Sequence, residues 1–219
     1  FDDYASHNPW RRKMFTHLGP LEGRKILDVG CGWHPTPLYF ALAGAEVVAT
    51  EISAAALEYV QRSAEHHGVA DRITTQVCPA EAMPFEDDEF DLVHGEGLLH
   101  HLVPDDAGRE ISRVLKPGGK GAFKDPFGQN PVLEFARDHL PYSWKGDHKG
   151  TDHPLTEAAI AAFGAEFRSH SWDGFGLTSI LATAATRRRR TGLVKGAEAL
   201  DRRLIKAIPR HKRRCRFVT

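Results

Sequence analysis

A chain of 219 residues, 41% hydrophobic and 26% charged, can bury one sizeable globular core with length left for an appendage. No uninterrupted apolar stretch nears the ~18 residues of a bilayer span, and three cysteines without a C-x-x-C pair point to a reducing, cytoplasmic setting. The formal net charge of zero conceals a split. Residues 187–219 hold 13 Lys/Arg against two acids, Glu198 and Asp201, so an equal acidic excess lies on the rest of the chain. The chain starts with Phe1 rather than Met, so the absence of a targeting signal cannot be read from it.

Residues 1–24 read as a lead-in helix, capped by Ser6 or Asn8, with Pro9 in its first turn and Gly19-Pro20 as its stop. Trp10, Met14, Phe15 and Leu18 recur at helical spacing; Tyr4 and Trp10 either line a pocket or pack in the core. The next 29 residues organise everything else. Ile26-Leu27 is an apolar strand ending at Asp28, Gly30-Cys31-Gly32 is a glycine turn, and Pro37 to Ala43 is helical. Val47-Val48-Ala49 is a second strand, ending at Thr50-Glu51. Strand, turn, helix, strand and terminal acid make a nucleoside-binding βαβ unit, in which glycines admit a ligand and helix-start N–H groups face it. Glu51 lies where an acid can accept both ribose hydroxyls.

A dinucleotide fingerprint would require glycine at position 35, which is Pro35, and Asp28 would repel a pyrophosphate. An acid there suits a ligand with an ammonium or sulfonium group. The stretch 26–32 resembles the first motif of class I S-adenosylmethionine-dependent methyltransferases, a hydrophobic pair followed by D-x-G-x-G-x-G, with His34 in place of its third glycine. The resemblance implies S-adenosylmethionine as cofactor. It also implies a Rossmann-like, seven-stranded, mostly parallel sheet of order 3-2-1-4-5-7-6 with helices on both faces. Asp28, Gly30, Gly32, Glu51 and Ile52 then belong to the cofactor site.

Ser53 caps a helix to about His67, which Gly68 ends, and Ile73–Val77 is a third strand. Cys78 to Phe85 resembles the family's D-A-E-x-L-P-F segment, whose backbone and acid contact adenine. Pro79 replaces the leading acid, leaving Ala80 and Glu81 as contacts. Cys78-Pro79 reverses the Pro-Cys order of pyrimidine C5 chemistry, and no Asn/Asp-Pro-Pro-Tyr segment supports nucleobase N-methylation. Phe90–Val93 is a fourth strand. The run from His94 through Glu96 to His100, His101 and Leu102 follows it and resembles F-D-x-V-x-x-x-x-x-L-H-H-L. Glu96 is a further cofactor candidate there. His101 and His100 are candidates for a general base, or for tying the loop to the backbone. Glu96 with both histidines on one helix face is also a low-ranking cation option.

A helix around 106–115 leads into Arg113-Val114-Leu115-Lys116-Pro117-Gly118-Gly119, which matches the family's turn before its fifth strand, at 120–124. Residues 126–153 form an aromatic, Pro/Gly-rich lid insertion within a domain running from 25 to 186. His153 is a third acid/base candidate, and Asp147, His148, Asp152 and His153 pose a metal option that ranks below a polar lid tip; no metal is assigned. Thr156 caps a further helix, and strands around 166–172 and 179–184 are expected to close the sheet as a hairpin. Leu193, Ala197, Leu200, Leu204 and Ile208 then recur at helical spacing among basic residues. Such a tail can rest on an anionic membrane, contact RNA, or pack on its own acidic body.

The resulting expectation is methyl transfer to a small or medium-sized organic acceptor, with O-methylation first. RNA methylation and a non-catalytic binding module are the alternatives, and the oligomeric state is open.

Overall fold

Five parallel strands position everything described below: β1 (Lys25–Val29), β2 (Glu46–Glu51), β3 (Ile73–Val77), β4 (Phe90–Glu96) and β5 (Leu115–Pro126). The computed structural model describes residues 9–128, 130, 154–177, 192–208 and 217–218. The strands lie in the order β3-β2-β1-β4-β5. β1 and β4 are central and therefore apolar on both faces: Ile26, Leu27, Val29, Phe90 and Val93 are fully buried. Successive side chains point to opposite faces, so Ile26 joins one core and Leu27 the other.

Helices fill both faces. The first core takes Met14 and Leu18 from α1 (Pro9–Leu18), Phe40 from α2 (Thr36–Leu42), and Leu57 and Val60 from α3 (Ala54–His66). The second takes Ile111 and Val114 from α4 (Pro104–Val114), flanked by Ile160 and Phe163 of α5 (Glu157–Ala165). Ser53 does precede α3, but its side chain makes no cap bond, whereas Thr156 Oγ1 accepts the Ala159 N–H at 3.2 Å. Gly68, with φ +70°, ends α3 as expected.

Asp91 is a staple at the sheet's N-terminal edge. It accepts the Lys25 N–H at 2.9 Å and the Lys116 ammonium at 3.0 Å, joining β1, β4 and β5. Pro117-Gly118-Gly119 is not a separate turn before β5. Phe90 pairs with Leu115 and Leu92 with Lys120, so residues 116–119 bulge out within one strand.

The far side of β5 differs from expectation. No strand forms at 166–172; two-residue β6 (Gly174–Phe175) follows instead, and 179–184 lie outside the described residues. Phe167 and Trp172 both pack into the second core. Five residues apart, they would face opposite ways on a regular strand, so the segment stays irregular. The segment pairing with Asp125 and Pro126 is β7 (Phe217–Val218), from the basic tail, antiparallel to both β5 and β6. α6 (Gly192–Ala207) precedes it. No helix among the described residues is long and apolar enough to cross a membrane.

Candidate active site

The order of the strands reverses direction of growth at β1, and the C-terminal ends of β1, β2, β4 and β5 meet there. Asp28 ends its apolar run inside the sheet, opposite Ala49 of β2 and His94 of β4. It is 1% exposed. His94 Nδ1–H donates to Asp28 Oδ1 at 2.7 Å, and the imidazole packs edge-on against Phe40. Asp28 Oδ2 is buried with no hydrogen-bond partner, a costly arrangement for a carboxylate unless a donor completes it.

The two glycines of the turn have different reasons. Gly30 has φ +61°, and a side chain there would strike Leu98 Cδ1 at 2.6 Å, so its bareness makes room for Leu98. Gly32 has φ +51° and open space, its nearest neighbours being His34 at 3.8 Å and Glu51 at 4.0 Å. Gly32 N–H donates to Glu51 Oε2 at 3.0 Å; Oε1 accepts from the N–H groups of Ile52 and Ser53 at 2.8 and 3.2 Å. The acid is thus set by backbone donors on both sides of the cleft. Pro35 and Pro37 remove two donors from the start of α2, so fewer helix-start N–H groups face a ligand than expected. His34 is exposed at the rim, where Trp33 meets Tyr59 with ring centroids 5.6 Å apart. Cys31 beneath the turn is inert: burial, then Asp28 and Glu51, push its thiol far up.

Ile52 is 74% exposed beside the acid, an apolar surface of the kind a flat base covers. Ala80 is buried and Glu81 exposed in the loop after β3. Arg113 fixes that loop from α4. It donates to Glu110 twice, to Phe85 O and Asp87 Oδ1 at 2.7 Å, and to Met83 O at 3.2 Å, while Glu110 also accepts the Met83 N–H.

Glu96 closes β4, but its carboxylate faces α1 and β5. Arg11 lies 3.6 Å from it and Lys124 3.5 Å, with both cations over the Trp10 ring. Trp10 itself packs against the first core, so it belongs to the packing of α1. The cation option for Glu96, His100 and His101 fails on geometry: Glu96 ends a strand, the histidines sit in a 3₁₀ turn (Leu99–His101), and no metal-ligating cluster occurs among the described residues.

The two histidines separate clearly. His100 accepts a complete setting: its backbone N–H and Nδ1–H both donate to Asp125 Oδ1, at 3.2 and 2.7 Å. A carboxylate accepts only, so Nδ1 bears a hydrogen. Asp125 is 1% exposed, and its Oδ2 is a second buried carboxylate oxygen with no partner. His101 is exposed and stacks on His100 at 3.9 Å between centroids. His153, the proposed metal group at 147–153 and Tyr4 lie outside the described residues. A cleft of about 820 Å³ between β5, α1 and α5 shares Asp125 with this site but none of Asp28, Gly30, Gly32 or Glu51. It borders the far side of β5.

Sequence reading missed His94 and Asp125. A histidine in the middle of a buried strand was the available signal for the first, and an acid at the C-terminal end of β5 for the second.

Residues 27–123 match the family model described as "Methyltransferase domain". Methyltransferase GfsG of Streptomyces halstedii is 33% identical over 115 residues, covering 52% of this chain and 41% of that protein. The ubiquinone/menaquinone biosynthesis C-methyltransferase UbiE of Hahella chejuensis is 33% identical over 144 residues, 63% of this chain and 57% of the other. The chain thus spans about half the length of the curated relatives it matches. In fold, geranyl diphosphate C-methyltransferase from Streptomyces coelicolor A3(2) superposes with TM-score 0.65 at 18% identity, over 99% of this chain and 78% of that one.

Proposed function

We propose that this chain, whose residues 27–123 match the methyltransferase domain model, is a class I S-adenosylmethionine-dependent methyltransferase that methylates a small organic acceptor bearing an ionisable hydroxyl. The observation that carries this reading is the His100–Asp125 pair at the strand ends. The residues present also fit the cofactor. The orphaned Asp28 Oδ2 lacks a cationic or N–H donor of the kind an amino-acid end provides, Gly32 leaves open space, and Glu51 offers an acceptor for ribose hydroxyls. When bound, S-adenosylmethionine supplies an electrophilic methyl group.

The chain's own residues do the rest. Asp28, steadied by His94, orients the amino-acid end; Glu51 and Gly32 hold the ribose, and Ile52, Ala80 and Glu81 border the base. His100 Nε2 takes the acceptor's proton, and Asp125 stabilises the imidazolium that results. Holding the acceptor oxygen in line with the methyl group supplies much of the acceleration. Glu96 ties α1 to β5 through Arg11 and Lys124 rather than serving the cofactor directly.

O-methylation is the first reading, because a proton acceptor is what a hydroxyl needs. C-methylation is the second, favoured by the name of the UbiE relatives; the same base makes a phenolate or enolate whose carbon can attack. The test is calorimetric binding of S-adenosylhomocysteine, followed by transfer of labelled methyl to a panel of phenols and enols. Proton-carbon NMR of the product separates O–CH₃ from C–CH₃. Absence of saturable cofactor binding, or turnover unaffected by His100→Ala, overturns the proposal.

A further inference from the structure

We propose that Arg11, seconded by Lys124, holds the carboxylate of the cofactor's amino-acid end, an inference that rests on the S-adenosylmethionine reading above. That end is a zwitterion. Asp28 Oδ2, buried and without a hydrogen-bond partner, suits the ammonium but repels the carboxylate. A carboxylate taken out of water beside an acid needs a cation of its own.

Alternation of side chains puts Asp28, His94, Glu96 and Lys124 on one face of the sheet, the face whose Ile26, Leu92 and Ala122 join the first core with α1. α1 runs antiparallel to β5 across that face. Lys120 Nζ donates to His17 O at 2.9 Å near the helix's end, and Lys124 Nζ lies 5.1 Å from the Trp10 ring near its start. The helix therefore begins over the C-terminal edge of the strands, the edge at which Asp28 keeps its open oxygen. A chain of rings fixes its rotation. Phe15 meets Phe40 at 5.8 Å between centroids, and Phe40 meets His94, the residue bonded to Asp28, at 5.2 Å. Arg11 is one helical turn before Phe15 on the same side of α1, so it stands beyond the Asp28–His94 pair toward that edge.

The setting of Arg11 suits a bound anion. Its side chain is 17% exposed with Glu96 at 3.6 Å, and Lys124, 13% exposed, lies 3.5 Å from the same carboxylate. Glu96, itself 8% exposed, steadies both cations without exhausting them. A guanidinium offers five N–H donors in a planar fork and an ammonium three, so each can take a further acceptor whatever else it meets. The competing role for this cluster is only to tie α1 to the sheet, and the two roles differ in which ligand they affect.

The test is calorimetric titration of the full chain with S-adenosylhomocysteine and with the same molecule lacking its carboxylate, which keeps the ammonium, ribose and adenine. The native chain is expected to bind the carboxylate-bearing ligand at least about tenfold more tightly. Arg11→Gln should weaken that ligand about tenfold and change the decarboxylated one by less than about twofold. Arg11→Lys should keep part of the preference, and Lys124→Gln should reduce it to a smaller extent. Circular dichroism checks that each variant is folded. Equal binding of the two ligands by the native chain overturns this inference alone. So does an Arg11→Gln variant that keeps native affinity for S-adenosylhomocysteine, or one that weakens both ligands alike, as a purely structural tie would. No saturable binding of either ligand overturns the cofactor reading along with it.

Discussion

Nδ1 of His94 lies 2.7 Å from Asp28 Oδ1, with each side chain 2% exposed, because register pairs these two residues across β1 and β4. The imidazole holds one carboxylate oxygen and leaves the other for a ligand. His94→Leu should destabilise the fold by about 3 kcal/mol, since it leaves a buried carboxylate without its donor. It should also weaken S-adenosylhomocysteine binding about tenfold. Replacing both, as Asp28→Leu with His94→Leu, should restore much of the stability but none of the binding. Urea unfolding beside calorimetry checks both, and parallel recovery of the two would exclude an orienting role.

Glu51→Gln keeps the size of the side chain and removes its charge. Its remaining carbonyl can serve only part of the work now shared among Gly32, Ile52 and Ser53. Cofactor affinity should fall at least about tenfold, and Glu51→Ala should lower it further. Calorimetry with S-adenosylhomocysteine reads both.

His100→Ala should slow methyl transfer about 100-fold or more while leaving cofactor affinity within about twofold. Asp125→Asn should act in the same direction through the imidazole. His101→Ala should cost less, because Asp125 Oδ1 takes both the backbone N–H and the ring Nδ1–H of His100. Steady-state rates with the best acceptor found, paired with cofactor titrations, distinguish these outcomes.

At low pH, Glu110 and Asp91 determine where stability is lost. Hydrogen bonds from Arg113 hold the Glu110 carboxyl below its ordinary range; the Lys25 N–H and Lys116 do so for Asp91. The folded state therefore releases these protons more readily than the unfolded chain. Their contribution is complete above the ordinary carboxylate range of about 4 and disappears as pH falls below it. Urea midpoints should hold down to about pH 4 and drop steeply below it. Arg113→Ala should cost about 2 kcal/mol near neutrality and flatten the drop.

Burial raises both the Cys31 and the Cys78 thiol. At neutral pH neither should react appreciably with iodoacetamide until the protein unfolds. Peptide mass mapping with and without urea shows whether labelling waits for denaturation.

The βαβ unit was legible because its signals are local: Asp28, the two glycines and Glu51 fall within 24 residues of sequence. The two carboxylate–histidine pairs were not, since Asp28 and His94 are 66 positions apart and His100 and Asp125 are 25 apart; only the folded sheet brings them together. The charged setting of Glu96 was hidden for a similar reason. Its partners, Arg11 and Lys124, arrive from a preceding helix and a following strand. The strand expected at 166–172 failed where apolar spacing failed, with Phe167 and Trp172 both required in one core.

The three amides resting on Glu51 turn that carboxylate into a gauge. A sugar hydroxyl reaching the same oxygens must share or displace the Gly32 proton, so loading changes the bonding of a single backbone nitrogen with little need for the chain to move. In an ¹⁵N spectrum, the Gly32 cross-peak should shift on titration with S-adenosylhomocysteine and its solvent-exchange rate should change, giving a label-free measure of occupancy that works before any acceptor is known.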